Sequence, residues 1–220
     1  MADKAENFEQ IYVHDIYENI AKQFDNTRVN IWQQTKIIFD DLCSESNKDK
    51  KIIDVGCGNG RNMNYLIGQG CTQVFGCDTC KHFVDICKEK NLSVVEGNIL
   101  NIPYSDNSFD MCFSIAVIHH LSTKERRLKA IQELIRIVQV NGKILIQVWA
   151  KEQHFSKVKY IEQDVFISWK TPKKDILGER FYHLFVKQEL EELCLENKNI
   201  VIVYSYYDHD NYGILLIKKF

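Results

Sequence analysis

The sequence predicts an α/β fold: a seven-stranded, mostly parallel sheet with helices on both faces and one antiparallel strand near its end. Three observations carry this. Apolar runs of strand length alternate with amphipathic helical stretches from residue 51 to residue 149, which specifies parallel strands joined by crossover helices. A glycine-rich turn, "DVGCGNGR", sits where the first of those runs meets the first of those helices. The last two runs, "NIVIVYSYY" and "YGILLIKK", are joined by "DHDN" alone, and so short a link permits only an antiparallel pair.

The elements follow in order. Residues 1–45 read as a helical cap, because "IYENIAKQF" and "IWQQTKIIFDDL" repeat apolar residues every three or four positions. "CSESNKDK" is a polar linker. Strands are expected at 51–56, 73–78, 92–97, 109–116 and 142–149, with helices after the glycine turn, through "KHFVDICKEK", and over 123–138. In the last of these, Ala130, Ile131, Leu134, Ile135 and Val138 share one face. Asn141-Gly142 is expected to turn the chain into the fifth strand. Residues 150–185 form an insertion too long and too aromatic to be a connector, and such insertions at strand ends usually carry function. The helix "VKQELEELCLE" precedes the final two strands.

At 220 residues the chain can bury a full core, and a single domain over 1–220 is expected. The net charge of −2 excludes a surface that is basic all over, so a nucleic-acid partner would meet a local patch. The first ten residues are polar and acidic, unlike a secretory leader, and no apolar run is long enough to span a bilayer. The eight cysteines are therefore expected as free thiols in a cytoplasmic or nuclear protein. Cys77 and Cys80 have the spacing of a metal or redox pair, but no second pair completes a zinc site, and no metal is expected.

In the glycine turn, Gly56, Gly58 and Gly60 let the backbone approach a ligand at a helix N-terminus. Asp78 ends the next strand about twenty residues on, where a carboxylate accepts ribose hydroxyls. The third glycine arrives one residue too early for the dinucleotide pattern, which favours another adenosine-type cofactor. The stretch "SIAVIHHLSTKERR" reads as a buried strand emerging at the sheet rim. Strand alternation would send His119 and His120 to opposite faces. From Ser122 to Lys143 six basic residues stand against Glu125 and Glu133, and Lys170, Lys173, Lys174 and Arg180 add charge to the insertion, a candidate contact for RNA phosphates.

"DVGCGNG" with "GCD" resembles the S-adenosylmethionine pocket of class I methyltransferases. "YVHDIYENIAKQFDNTR", "SIAVIHHLSTKERR", "ILIQVWAKEQ", "RFYHLF" and "YDHDNYGILLIKK" together resemble the wobble-uridine tRNA methyltransferases over nearly the whole chain. That family esterifies the carboxymethyl group on uridine C5. The resemblance implies a Rossmann-like methyltransferase fold and S-adenosylmethionine as cofactor. It implies a cofactor site of Tyr17, Asp54, Gly56, Cys57, Gly58, Asn59, Gly60, Asp78, Thr79, Asn98, Ile99, Ala116 and His120. Asn98 stands where an acid is usual, and its amide can still face an adenine edge. Arg28, His119, Arg180, Tyr182 and His183 are the implied catalytic residues, with Trp149, Asp208, Asn211, Arg126 and Arg127 on the substrate side. The implied partners are tRNA and a small zinc-binding activator adding a strand along "LSVVEG" in a heterodimer. A carboxylate nucleophile is already ionised at neutral pH, so it needs positioning and donors rather than a general base.

Overall fold

The computed structural model describes residues 4–28, 30–156, 158–171, 173 and 175–220; Lys174 lies outside the described residues. Among them, helices α1 (Lys4–Glu9) and α2 (Asp15–Thr27) are joined by a π-helical turn, Gln10–His14, and α3 (Gln33–Leu42) follows. The sheet strands are β1 (Lys51–Val55), β2 (Gln73–Asp78), β3 (Ser93–Glu96), β4 (Phe109–Ile115) and β5 (Val138–Trp149). Between them run α4 (Arg61–Gly68), α5 (Lys81–Glu89) and α6 (Lys124–Ile137). A hairpin of β6 (Asp164–Lys170) and β7 (Ile176–His183) comes next, then α7 (Glu189–Leu195), β8 (Ile200–Asp208) and β9 (Asn211–Lys218).

The strand order is β3-β2-β1-β4-β5-β9-β8, seven strands, with β9 antiparallel to both neighbours and the others parallel to one another. Both faces are covered. Phe113, Leu145 and Leu215 pack with Ile38, Phe39 and Leu66 on one side; Cys112, Ile144 and Ile214 pack with Ile131, Leu134 and Leu193 on the other. The chain leaves β1 in one direction and β4 in the other, so a crevice opens beyond the carboxyl ends of these two neighbours. No helix of the described residues is long and apolar enough to cross a membrane.

Three expectations need correction. The insertion contains the hairpin β6–β7, held in register from Asp164↔His183 to Lys170↔Ile176, so Phe166, Trp169, Phe181 and Tyr182 are strand residues rather than loop. β5 begins at Val138, and Asn141 sits inside it at φ +65° rather than in a turn before it. Ile118–His120 form a single 3₁₀ turn after β4, so the alternation argument does not apply to the two histidines.

The N-terminal helical segment lies across the crevice, tied down by three carboxylates. Glu9, 1 % exposed, accepts from Ser122 N–H and from Arg126 Nε and Nη2 at 2.7–3.0 Å, holding the loop after β4. Glu18 accepts from the Lys81 and His82 backbone N–H groups at the start of α5, after β2. Asp25 accepts from Asn59 Nδ2 at 2.9 Å, after β1. Arg126 is thus a structural cation, not the RNA contact expected of it. Removing it leaves Glu9 buried and unpaired. Arg126→Ala should cost about 3–5 kcal/mol in urea unfolding, against under 1 kcal/mol for a surface arginine.

Its neighbours are similarly engaged. Arg127 is 6 % exposed and donates to the Leu121 carbonyl at 3.0 Å. Lys124 pairs with Glu196, Lys129 with Glu133, and Arg136 with Glu133 and Asp106. Of the six basic residues expected to form a patch, four pair with a carboxylate and Arg127 is buried.

Candidate active site

The crevice is floored by the glycine turn. Gly56, Gly58 and Gly60 all have φ between +53° and +76°, the left-handed region that side chains resist. A Cβ on Gly56 would lie 2.3 Å from the Val117 side chain, and one on Gly60 would lie 2.3 Å from Leu92. On Gly58 it would meet only Phe24, at 3.9 Å. Gly56 and Gly60 therefore serve packing, while Gly58 keeps the wall of the cavity open. Gly56→Ala should destabilise the fold by about 2–3 kcal/mol, from strain plus overpacking. Gly58→Ala should cost about 1 kcal/mol of fold and act chiefly on ligand affinity. Urea unfolding and calorimetric titration with S-adenosylmethionine separate the two effects.

Asp78 joins that turn to the start of α5. Its Oδ2 accepts from Gly58 N–H at 2.8 Å and its Oδ1 from Cys80 N–H at 2.9 Å, which leaves each oxygen a further lone pair. Burial pushes its carboxyl up to about 6, against these hydrogen bonds. Behind it, fully buried Asp54 accepts from Asn62 Nδ2 at 3.2 Å, and burial raises it to about 7. Asp54 Oδ1 and Asn62 Oδ1 are two buried acceptors with no donor. Asn98 Oδ1 accepts from Leu100 N–H at 2.8 Å, which leaves its amide NH₂ to donate. Cys57, Asn59, Thr79, Ile99 and Ala116 line the same cavity; Ala116 holds φ +64° at the end of β4. Tyr17, Phe24 and Phe83 close it with mutual edge or tilted ring contacts at 5.2–6.1 Å.

On the other side the two histidines face one cavity together, ring centroids 4.5 Å apart. Their tautomers follow from their partners. His120 Nδ1 lies 2.8 Å from the Phe181 carbonyl, which only accepts, so Nδ1 carries the proton. His120 Nε2 is then the acceptor for the Tyr17 hydroxyl at 2.9 Å, and Tyr17 Oη in turn accepts from Arg180 Nη1 at 3.1 Å. His119 Nδ1 accepts from Trp149 N–H at 3.1 Å, which leaves Nε2–H as a donor. Burial is the main cause that holds both imidazoles neutral, His120 down at about 3 and His119 well below its usual value. His119, Tyr182 and Trp149 form a graded stack with centroids 4.9 and 4.7 Å apart.

Arg180 is 6 % exposed and packs against the rings of Tyr17, Trp169 and Tyr182 at 5.0–5.5 Å. Among the described residues no carboxylate pairs with it, and its Nε has no acceptor. Arg28, exposed, reaches the same Trp169 ring at 5.3 Å and lines the cavity.

The structure thus gathers Tyr17, Arg28, Gly56, Cys57, Gly58, Asn59, Asp78, Thr79, Asn98, Ile99, Ala116, His119, His120, Trp149, Arg180 and Tyr182 around one cavity. Asp54 and Gly60 stand behind its wall. Five others are elsewhere. His183 bridges Asp164 and Glu189 at 2.6 and 2.7 Å and so clamps β7 to α7. Asp208 accepts from Gln34 N–H, and buried Asn211 donates to the Asp208 and His209 carbonyls, shaping the β8–β9 turn. Arg126 and Arg127 are engaged as described. Sequence reasoning missed Asn62 and Arg61, polar residues in the first helical turn after the glycines, a position that signals a ligand contact. It missed Phe24, Phe83 and Trp32 as well, which no local pattern marks. No cluster able to hold a metal exists among the described residues, and all eight cysteines are free and buried.

Residues 53–146 match a family described as "Methyltransferase domain". A Xenopus tropicalis tRNA (carboxymethyluridine(34)-5-O)-methyltransferase is 33 % identical over 97 % of this chain and 42 % of its own length. A Schizosaccharomyces pombe protein of the same description is 34 % identical over 96 % of this chain and 98 % of that one. The chain thus spans less than half of the Xenopus relative and nearly all of the yeast one. Among solved structures, the complex between the Haloferax volcanii Trm112 methyltransferase activator and a methyltransferase contains a chain similar at TM-score 0.69 and 13 % identity, covering 94 % of this chain and 98 % of that one. That likeness bears on the fold alone.

Proposed function

Because the chain belongs to the tRNA (carboxymethyluridine) methyltransferase family, we propose that it methylates the carboxylate of 5-carboxymethyluridine at the wobble position of tRNA, using S-adenosylmethionine. The observation that carries this is Arg180. A buried guanidinium without a carboxylate partner is costly to keep charged, and a carboxylate entering the cavity beside it removes that cost. Around it the chain presents the His119 Nε2–H and the Tyr182 hydroxyl as further donors, and the Trp149 and Tyr182 rings line the cavity that a pyrimidine would enter.

The residues fit the cofactor. Asp78 retains free lone pairs for hydroxyls, Asn62 Oδ1 is an acceptor without a donor on the cavity wall, and the Gly58 wall is open. Bound there, S-adenosylmethionine supplies an electrophilic methyl group on a sulfonium. The chain itself orients the acceptor and strips its water. It offers no base. His120 Nε2 is occupied by the Tyr17 hydroxyl and His119 Nδ1 by a backbone N–H, so neither imidazole is free to take a proton. That suits a nucleophile ionised near pH 4, which has no proton to lose.

The same reading includes a small zinc-binding activator as partner, pairing along β3. In support, β3 is an edge of the sheet and Val95 on it is 40 % exposed. It also places the protein in the cytoplasm or nucleus, in keeping with eight free thiols. The test incubates the protein, with and without activator, with methyl-labelled S-adenosylmethionine and tRNA carrying carboxymethyluridine. Label in tRNA that mild base releases is expected, as an ester requires. Label only in small metabolites would assign a small-molecule methyltransferase, and cofactor binding without transfer would assign a silent binding protein. Full rate without activator would remove the partner.

A further inference from the structure

The turn between β8 and β9 carries an exposed ring stack that the methyl-transfer site does not use. Phe155 and His209 lie 4.5 Å apart at 17°, yet Phe155 is 67 % and the His209 side chain 54 % exposed. An exposed phenyl ring in a surface segment would ordinarily be free to fold away, but here the backbone beneath it is held. The Asp210 carboxylate accepts from the N–H groups of His154, Phe155 and Ser156 at 2.6–3.0 Å and from the Tyr207 hydroxyl at 2.9 Å. Ala150 N–H donates to the Asp210 carbonyl at 2.9 Å. On the other ring, His209 Nδ1 is held by Asp208, whose second oxygen accepts from Gln34 N–H.

The platform is tied to the cavity wall through the sheet. Asn211, two residues after His209, is the strand partner of Trp149, which forms the cavity wall. A uridine drawn into that cavity leaves its neighbour in the single strand without a stacking partner, and proteins supply one with aromatic rings. We infer that the Phe155–His209 stack receives the unpaired nucleobase next to the modified uridine, which makes it a positioning surface for the RNA rather than part of the transfer machinery. The inference rests on the proposed tRNA substrate.

The experiment uses the full chain and a synthetic anticodon stem-loop with carboxymethyluridine flanked on one side or the other by 2-aminopurine, whose fluorescence falls on stacking. Wild type is expected to quench one of the two probes. Phe155→Ala should abolish the quenching and raise KM for the stem-loop about tenfold, the order of a single base–aromatic stack, while kcat and S-adenosylmethionine affinity stay within twofold. His209→Phe, which keeps a ring stack, should retain the quenching. An abasic site at the quenched position should raise the wild-type KM equally and add nothing to Phe155→Ala. Methyl transfer with neither quenching nor a KM change overturns the platform and leaves the proposed function standing. Quenching without transfer does the reverse, and neither signal overturns both.

Discussion

Arg180→Met is expected to lower kcat/KM for methyl transfer to tRNA about 10²–10³-fold, the order seen when one preorganised donor is removed from a charged transition state, and to leave the fold as stable as before or more so. The two halves have one origin. Arg180 is 6 % exposed, its Nε has no acceptor, and no acidic residue among those described pairs with it. The guanidinium meets ring faces and the Tyr17 hydroxyl, so an apolar side chain of similar length gives up no ion pair. The Tyr17 hydroxyl keeps its acceptor in His120 when the guanidinium goes, so no polar group is orphaned by the change. Cofactor affinity should hold within twofold, because Arg180 reaches Tyr17 and aromatic rings rather than the glycine turn. Steady-state kinetics, thermal unfolding and cofactor titration on one preparation check all three. A loss of activity matched by a fall in Tm of ten degrees would make Arg180 a structural residue instead.

The second large effect is on acid stability. Burial holds His119 and His120 neutral, His120 at about 3, with the nearby Arg180 charge adding to the depression of both. In the unfolded chain each imidazole takes up a proton near pH 6.5. Their contribution is therefore complete above pH 6.5 and is lost as the pH falls toward 3. Between pH 7.5 and 5, His120 alone accounts for about 2 kcal/mol. Asp54 and Asp78 act in the opposite sense. Burial raises them to about 7 and about 6, so the folded state gains from their protonation as the pH falls from 7 toward 4. The wild-type profile is shallower than the histidines alone would make it, and a variant is needed to see them. Urea unfolding at pH 7.5 and pH 5 should show wild type losing about 2 kcal/mol more than His120→Gln. Parallel losses would mean that the ring is already protonated in the fold.

These two predictions depend on facts of different visibility. That Arg180, Tyr182 and the histidines belong to one site was legible from the stretches that carry the family resemblance. That Arg180 lacks an acid was not. The same blindness produced the opposite error at Arg126. There the sequence shows a run of cations with few acids nearby, while the fold brings Glu9 from more than a hundred residues away to meet it. Counting neighbours along the chain finds i,i+4 pairs such as Lys129–Glu133. It does not find ion pairs made between elements.

What the sequence by itself determined is whatever local physics decides. Hydrophobic periodicity set the alternation of strands and helices, the four-residue link made β9 antiparallel to β8, and three glycines before a helix, with Asp78 twenty residues on, marked the cavity. Tertiary structure decided the rest. It put His119 and His120 in a 3₁₀ turn facing one cavity and chose their tautomers through the Phe181 carbonyl and the Trp149 N–H. It set His183 to clamping β7 onto α7, and it left Arg180 buried at the cavity without a carboxylate partner among the described residues. The reason is range: torsional preference and side-chain periodicity act within a few residues, whereas desolvation and hydrogen-bond partnership depend on which distant segments the fold brings together.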